Sequence, residues 1–224
     1  MQSQSYRWLS FRSQRSLEEI GNAILLHKFS NSEDQGFTLY ELNKNVIEAK
    51  FTEKIHMIES VVDYNGNITT IPIETFVHTT FQIRNDYGFI EIYDPPRKLL
   101  GLINHLGKIT NYETEIAQQL MNIPRLITYF ENIGIRIRVR IIKCKDISLS
   151  NDTQAEMIIK SSSDVRNNAK DYFQKYTIAS ATISFVDISS TAKLIASNSG
   201  HIKIVDCKSL VKRDLLREAV VAAI

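Results

Sequence analysis

The stretch that decides the fold of this chain is Gly134–Lys145, which reads GIRIRVRIIKCK. Apolar and basic residues alternate along it, which predicts a β-strand with one buried and one solvent-exposed face. The positions predicted to face the core are Ile135, Ile137, Val139 and Ile141, followed after a break by Ile142 and Cys144. Two apolar residues in succession, Ile141 and Ile142, mark that break. One extra residue that preserves both faces is what a β-bulge provides.

The opposite face of this predicted strand carries cations and no acid. They are Arg136, Arg138, Arg140, Lys143 and Lys145. Side chains two residues apart on one strand face are about 6.6 Å from each other, which resembles the step between phosphates of an extended strand. Arginine also presents a bidentate fork that suits phosphate. We interpret these five residues as candidates for contact with a nucleic-acid backbone.

Two other interpretations of the cationic row stay open. One is a protein partner with an acidic surface. The other is a solvated or salt-bridged strand face, since alternating cations also protect an edge strand from aggregation. Aromatic side chains that stack on bases would favour nucleic acid. The candidates, none of which the sequence places on the same face, are Tyr129, Phe130, Tyr172 and Tyr176.

Composition places the chain among ordinary globular proteins. It has 224 residues, of which 43% are hydrophobic and 23% charged, enough to bury a sizeable core and too apolar for disorder. The formal net charge is +2, so any affinity for nucleic acid must come from local clustering. The abundance of Ile, Lys, Asn and Ser suits an AT-rich coding sequence and hints at a microbial or viral source.

Cysteine usage and the chain start favour a cytoplasmic protein. Cys144 and Cys207 lie in separate apolar runs without Cys-x-x-Cys spacing, so we expect buried reduced thiols rather than a disulfide or a zinc site. The first residues lack a signal-peptide pattern, and no apolar run reaches the roughly 18 residues of a membrane helix. We expect no membrane association.

The first half of the chain predicts a helix followed by a meander of antiparallel strands. Ser16 is a helix N-cap candidate, with the helix ending near Lys28. The expected strands are Tyr6–Phe11, a strand around Phe37, Val46–Val62, Ile68–Ile73, Phe76–Ile83 and Phe89–Tyr93. Asn65–Gly66 is the strongest hairpin signal among them. A helix over Arg97–Leu106 follows the Asp94–Pro96 corner.

The second half predicts a mixture of helices and strands. The expected helices are Tyr112–Asn132, bent at Pro124, then Val165–Tyr176 and Ser209–Ile224. The expected strands, besides the basic one, are Thr177–Val186, Lys193–Ser197 and His201–Val205. The sequence therefore predicts an α+β fold with a mostly antiparallel meander sheet and helices on one side. We place a strand-rich unit at residues 1–110 and a smaller α+β unit at 111–224, with one continuous domain as the alternative.

One motif offers a catalytic alternative. Glu48 and Lys50 match the acid-x-lysine half of metal-dependent nuclease signatures, in which Glu48 binds Mg²⁺ and Lys50 stabilises the attacking water or leaving phosphate. Asp34, Glu41 or Glu19 are candidates for the upstream acid. Against this, the tripeptide is common by chance, and the chain after Lys50 continues as strand.

Other catalytic and cofactor signatures are missing from the sequence. No Gly-rich phosphate loop of either common type occurs, and no two of the five histidines lie two to four residues apart. We therefore expect a non-enzymatic binding module within a larger assembly, without cofactor or metal, that contacts nucleic-acid backbone. A protein-interaction component that docks through the apolar C-terminal helix is the alternative.

Overall fold

The computed structural model describes residues 3–150, 152–167, 177–186, 192–206 and 213–224. Within these ranges the chain is an α+β protein built mainly of antiparallel strands, which confirms the predicted fold class in its broad form. Two compact units are formed. Ser10–Ala117 makes the first, here called the hairpin unit, and Met1–Leu9 with Gln118–Ile224 makes the second, here called the basic unit. The predicted division at residue 110 stays a prediction.

The hairpin unit is a sheet with two helices. β1 spans Ser3–Ser13, so its residues 10–13 belong here and its residues 3–9 to the basic unit. The next strands are β2 (Gln35–Leu42), β3 (Val46–Val62), β4 (Ile68–Arg84) and β5 (Phe89–Tyr93), hydrogen-bonded in that order. The helices are α1 (Leu17–Leu26) and α2 (Leu100–Ile109), and β6 (Thr114–Gln118) pairs with β1.

Local signals account for the ends of these elements. The Ser16 hydroxyl accepts a hydrogen bond from the Glu19 backbone N–H at 3.2 Å, and the Glu19 carboxylate accepts one from the Ser16 N–H at 2.8 Å. This capping box fixes the start of α1, as predicted. The β3–β4 turn is held by the Asp63 carboxylate, which accepts backbone N–H bonds from Asn65 and Asn67 at 2.8 Å.

The β3–β4 hairpin extends well past its neighbours. β2 pairs with β3 as far as Glu53, and β5 pairs with β4 from Thr80 onward. Beyond these points lie nine rungs, from the pair Lys54–Phe76 to the pair Val62–Ile68. Nine rungs span about 30 Å. We call residues 54–76 the hairpin arm.

The basic unit is likewise built of antiparallel strands, with two helices. Its further strands are β7 (Ile137–Ser150), β8 (Thr153–Lys160), β9 (Thr177–Phe185), β10 (Lys193–Ser197) and β11 (His201–Val205). The strand order is β1-β11-β10-β9-β7-β8. The helices are α3 (Ile123–Asn132) and α4 (Arg213–Ala223), and a short 3-10 turn covers Val165–Asn167.

One face of the basic unit's sheet packs against α3. Phe130 of α3 meets Phe185 of β9 edge-on, with ring centroids 6.0 Å apart. Phe185 is paired with Ile137, so the buried side chains of β7 share this face. α4 packs against α3, and the Tyr129 hydroxyl donates a hydrogen bond to the Glu218 carboxylate at 2.7 Å. The opposite sheet face is where the cationic side chains lie.

Several sequence predictions are wrong in their boundaries. The two strands expected at Ile68–Ile73 and Phe76–Ile83 are the single strand β4. Pro72 does not interrupt this strand because it lies in the hairpin arm, where β4 pairs only with β3. The other edge of β4 has no neighbour there among the described strands, so the missing N–H of proline is tolerated. The helix expected over Arg97–Leu106 is α2, which begins three residues later.

The long helix expected over Tyr112–Asn132 is also wrong. Residues 114–118 form β6, and Pro124 lies in the first turn of a separate helix, α3, whose N-cap is Asn122. β8 was not predicted. The expected helix over Val165–Tyr176 and the start of the helix expected over Ser209–Ile224 fall largely outside the described residues. Among those residues, no helix is long and apolar enough to cross a bilayer.

Candidate nucleic-acid interface

β7 has the two faces that its sequence predicts. Its buried positions are Ile137, Val139, Ile142 and Cys144. Pairing with β9 shifts register between Val139 and Ile141, which confirms a bulge but places the extra residue at Arg140 rather than at the predicted break between Ile141 and Ile142. Ile135 is half-buried rather than buried. The prediction that Ile141 faces the core is wrong, because Ile141 pairs with Thr182 of the half-buried β9 face and therefore lies on the same face as Lys143. Because the bulge restores the alternation, Lys143 and Lys145 stay on the same face as Arg138.

The five cations differ in what surrounds them. Arg136 and Arg138 are exposed, and the Arg138 side chain makes no hydrogen bond or ion pair with any residue that the structure describes. Arg140 is half-buried, and its guanidinium donates to the backbone oxygens of Ser162 and Ser163. Arg140 therefore anchors the segment after β8, whereas Arg138 has its donors available.

The cationic row meets an acid from the neighbouring strand, β8. Glu156 of β8 lies 2.5 Å from the Lys143 ammonium and 4.0 Å from that of Lys145. The hydrogen bond from Lys143 is the main reason that the pKa of Glu156 lies below its usual value. Part of the predicted row thus takes part in ion pairs across the β7–β8 ladder, as the salt-bridged interpretation expected.

Strand register brings a second group of cations onto the same face. One line of directly paired residues runs across five neighbouring strands, from β7 to β1. Its members, each paired with the next, are Lys143, Ser180, Ser197, His201 and Arg7. Directly paired side chains in antiparallel strands share a face. Four steps of about 4.8 Å separate Lys143 from Arg7 by roughly 19 Å. Short hydroxyl side chains therefore lie between two cationic margins.

The second margin consists of Arg7, His201 and the exposed Lys203. Burial, and next the charges of Arg7 and Lys203, hold the pKa of His201 below its ordinary value. The smaller part of this shift, due to Arg7 and Lys203, reflects the positive charge of this margin. The sequence prediction missed these residues, although Arg7 and Lys203 each sit between apolar neighbours in the same alternating pattern as the β7 cations.

The aromatic side chains proposed for base stacking do not join this face. Phe130 is buried on the helix side of the sheet, and Tyr129 of α3 bonds to Glu218 of α4. Tyr172 and Tyr176 lie outside the described residues. The described part of the face is therefore suited to backbone contact through charge and hydroxyl groups.

The nuclease alternative has an incomplete set of acids. Glu48 and Lys50 are half-buried on one face of β3, and the Glu48 carboxylate accepts a hydrogen bond from Gln82 at 2.9 Å. Glu41 of β2 is paired with Glu48, so one predicted upstream acid is adjacent. Among the described residues, no three His, Cys, Asp or Glu side chains form a group able to hold a metal ion. The catalytic role of this pair stays a prediction.

The prediction of buried thiols is confirmed for Cys144. Cys144 is free and buried, and burial raises the pKa of its thiol, which makes it a poor nucleophile. Cys207 lies outside the described residues.

The comparisons with known proteins assign no family. No protein-family model matches the chain, and no curated protein is significantly similar to it in sequence.

Proposed function

We propose that this chain is a non-catalytic module that binds the sugar–phosphate backbone of nucleic acids through the exposed face of the basic unit's sheet. The observation that supports the proposal most directly is Arg138, an exposed guanidinium without a described partner, beside Arg136 on a face with a second cationic margin. Counterion release by such cations drives backbone binding without sequence preference. Attachment to a larger assembly belongs to the same proposal.

The test measures binding of labelled single- and double-stranded DNA and RNA by fluorescence anisotropy across a series of salt concentrations. Replacing Arg136 and Arg138 by Ala should weaken binding and reduce the slope of log K against log salt by about 1.8 for a duplex. The matched control is Arg12→Ala with Lys44→Ala, which removes two exposed cations from the hairpin unit. Unchanged binding by the first variant would refute the proposal.

The same salt series repeated with Mg²⁺ distinguishes the nuclease alternative from the binding proposal. Cleavage that depends on Mg²⁺ and is lost in Glu48→Ala would replace the binding proposal with the catalytic one. Binding without cleavage supports the non-catalytic proposal.

The hairpin arm favours a second candidate, a protein-interaction component. Its apolar side chains are unusually exposed, with Ile58 at 76%, Ile68 at 69% and Tyr64 at 97% of their full accessible area. A two-stranded hairpin is marginally stable alone, and contact with a partner protein would cover these side chains. This candidate predicts association that persists at salt concentrations that remove nucleic acid, and that Ile58→Ser with Ile68→Ser weakens.

The C-terminal helix offers less apolar surface for a partner than its sequence predicts. Leu216, Ala219 and Val220 of α4 are buried, and Val221 and Ile224 are exposed. Docking through this helix stays a prediction.

A further inference from the structure

A large cleft lies in the hairpin unit, at the base of the hairpin arm. Its volume is about 1190 Å³, above the roughly 300–1,000 Å³ typical of small-molecule pockets. One wall is a stripe of α2 made by Gly101, Asn104, His105 and Lys108, which share a helix face by their spacing. The start of the arm, Glu53–His56, lines the cleft as well. The cleft is independent of the basic face proposed for nucleic acid.

The charges around the cleft are mostly positive. Arg97, Lys98 and Lys108 line it and are exposed, and their side chains make no ion pair with any described residue. Lys54 also lines it, but its ammonium lies 3.9 Å from the Glu74 carboxylate. Three cations therefore remain available to an anionic ligand.

Glu53, the one carboxylate in the lining, lies against the start of α2. An added Cβ at Gly101 would lie 2.8 Å from Glu53 Oε2, so this carboxylate rests against the first turn of α2. That helix has no side-chain cap at its N-cap residue, Leu99. A carboxylate at a helix N-terminus is stabilised by the exposed N–H groups and the helix dipole. Glu53 thus lies at the helix end and forms no ion pair with any of the three cations.

His105 is a polar side chain without a partner at the deep end of the cleft. Its exposed fraction is 7%, and neither ring nitrogen has a hydrogen-bond partner among the described residues. Its ring lies 5.2 Å from that of Phe37 and 5.5 Å from that of Phe51. Burial, then the nearby His27 and Lys108, lower its pKa, so it is neutral near pH 7 and has one donor and one acceptor unused. A buried polar side chain without a hydrogen-bond partner destabilises the folded protein, and a ligand that forms the missing hydrogen bond would explain its presence.

We propose that this cleft binds a nucleoside phosphate. Its phosphates contact Arg97, Lys98 and Lys108 at the exposed end, where guanidinium and ammonium groups match phosphate charge. Its base enters the part of the cleft lined by His105 and forms a hydrogen bond with one of the two unused ring nitrogens. Both ring nitrogens are covered in the structure, so a side chain of the cleft moves aside on binding. Lys108, three residues along the same helix, has the flexible stem for this movement.

The proposal is tested by calorimetric titration of the full chain with ADP, GDP, CDP and UDP. Adenosine tests the contribution of the nucleoside alone, and inorganic phosphate and citrate test the contribution of negative charge alone. We expect at least one nucleotide to bind tenfold or more tightly than adenosine, phosphate or citrate. Absence of binding by all four nucleotides overturns the proposal. Equal binding of citrate overturns it too, because a general attraction of anions would then be sufficient.

Two variants locate the ligand. Lys98→Ala with Lys108→Ala should weaken nucleotide binding tenfold or more, whereas the control pair Arg12→Ala with Lys44→Ala should leave it unchanged. His105→Phe keeps a ring between Phe37 and Phe51 and removes the unpaired nitrogens. It should raise the thermal midpoint by about 2–4 °C and weaken nucleotide binding about tenfold. A raised midpoint with unchanged nucleotide binding would overturn the placement of the base.

Discussion

Glu156→Gln is the perturbation that most directly examines the basic face. Glu156 is the acid that the structure places against the cationic row, 2.5 Å from Lys143 and 4.0 Å from Lys145. Gln has nearly the same shape and no charge. We expect the variant to bind nucleic acid more tightly than the unmodified chain, because two ammonium groups no longer share a carboxylate. A gain in affinity is informative because misfolding would not produce it.

The size of the effect follows from counterion release. Each further phosphate neutralised on a duplex steepens the slope of log K against log salt by about 0.9. One or two released lysines therefore steepen it by about 0.9–1.8. Between about 50 and 200 mM salt, the variant should lose roughly 3.5- to 12-fold more affinity than the unmodified chain, from a higher value at low salt.

The assay is fluorescence anisotropy with a labelled duplex at four or more salt concentrations. The control variant is Glu59→Gln, which removes an exposed carboxylate from the hairpin arm and changes the net charge equally. An equal gain in both variants would mean that net charge, rather than the row, controls binding. No gain in Glu156→Gln would show that Lys143 and Lys145 do not contact phosphate.

Two further predictions concern stability. Gly200 has φ +77°, and an added Cβ would lie 2.7 Å from the Trp8 backbone oxygen, whereas Gly134 has φ +80° and open space around it. In urea unfolding, Gly200→Ala should therefore lower the free energy of unfolding clearly more than Gly134→Ala. Both substitutions add backbone strain of about 1–3 kcal/mol, but only Gly200→Ala adds a steric clash. Equal decreases in the free energy of unfolding would contradict this prediction. The lowered pKa of His105, caused mainly by burial and next by His27, means that the unfolded chain binds a proton more readily, so stability should fall as pH decreases below about 6.5. His105→Phe should reduce this fall between pH 7 and 5, and an unchanged pH dependence of the thermal midpoint would show that His105 does not cause it.

The parts of the fold that were predicted correctly depend on local signals. Val46–Val62, Phe89–Tyr93 and the β10–β11 hairpin have the bounds that alternation and turn residues indicate. Residues 114–118 were predicted as helix because their composition suits one and acidic residues follow Asn111. Their strand conformation is set by pairing with β1, about a hundred residues earlier, and no local pattern contains that information.

The distinction between local signals and long-range strand pairing also applies to the candidate site. It explains why the cationic row alone describes this site incompletely. The row on β7 is local, so its alternation and bulge were predictable. The potential at a sheet face is the sum of charges from every strand that pairs into it, and those strands come from distant positions. Glu156 reduces the charge at one end of the row, and Arg7 and Lys203 add charge at the opposite margin, through pairings that join the first ten residues to the last thirty. A one-strand pattern therefore predicts where cations lie, whereas strand register decides which of them remain available to a phosphate.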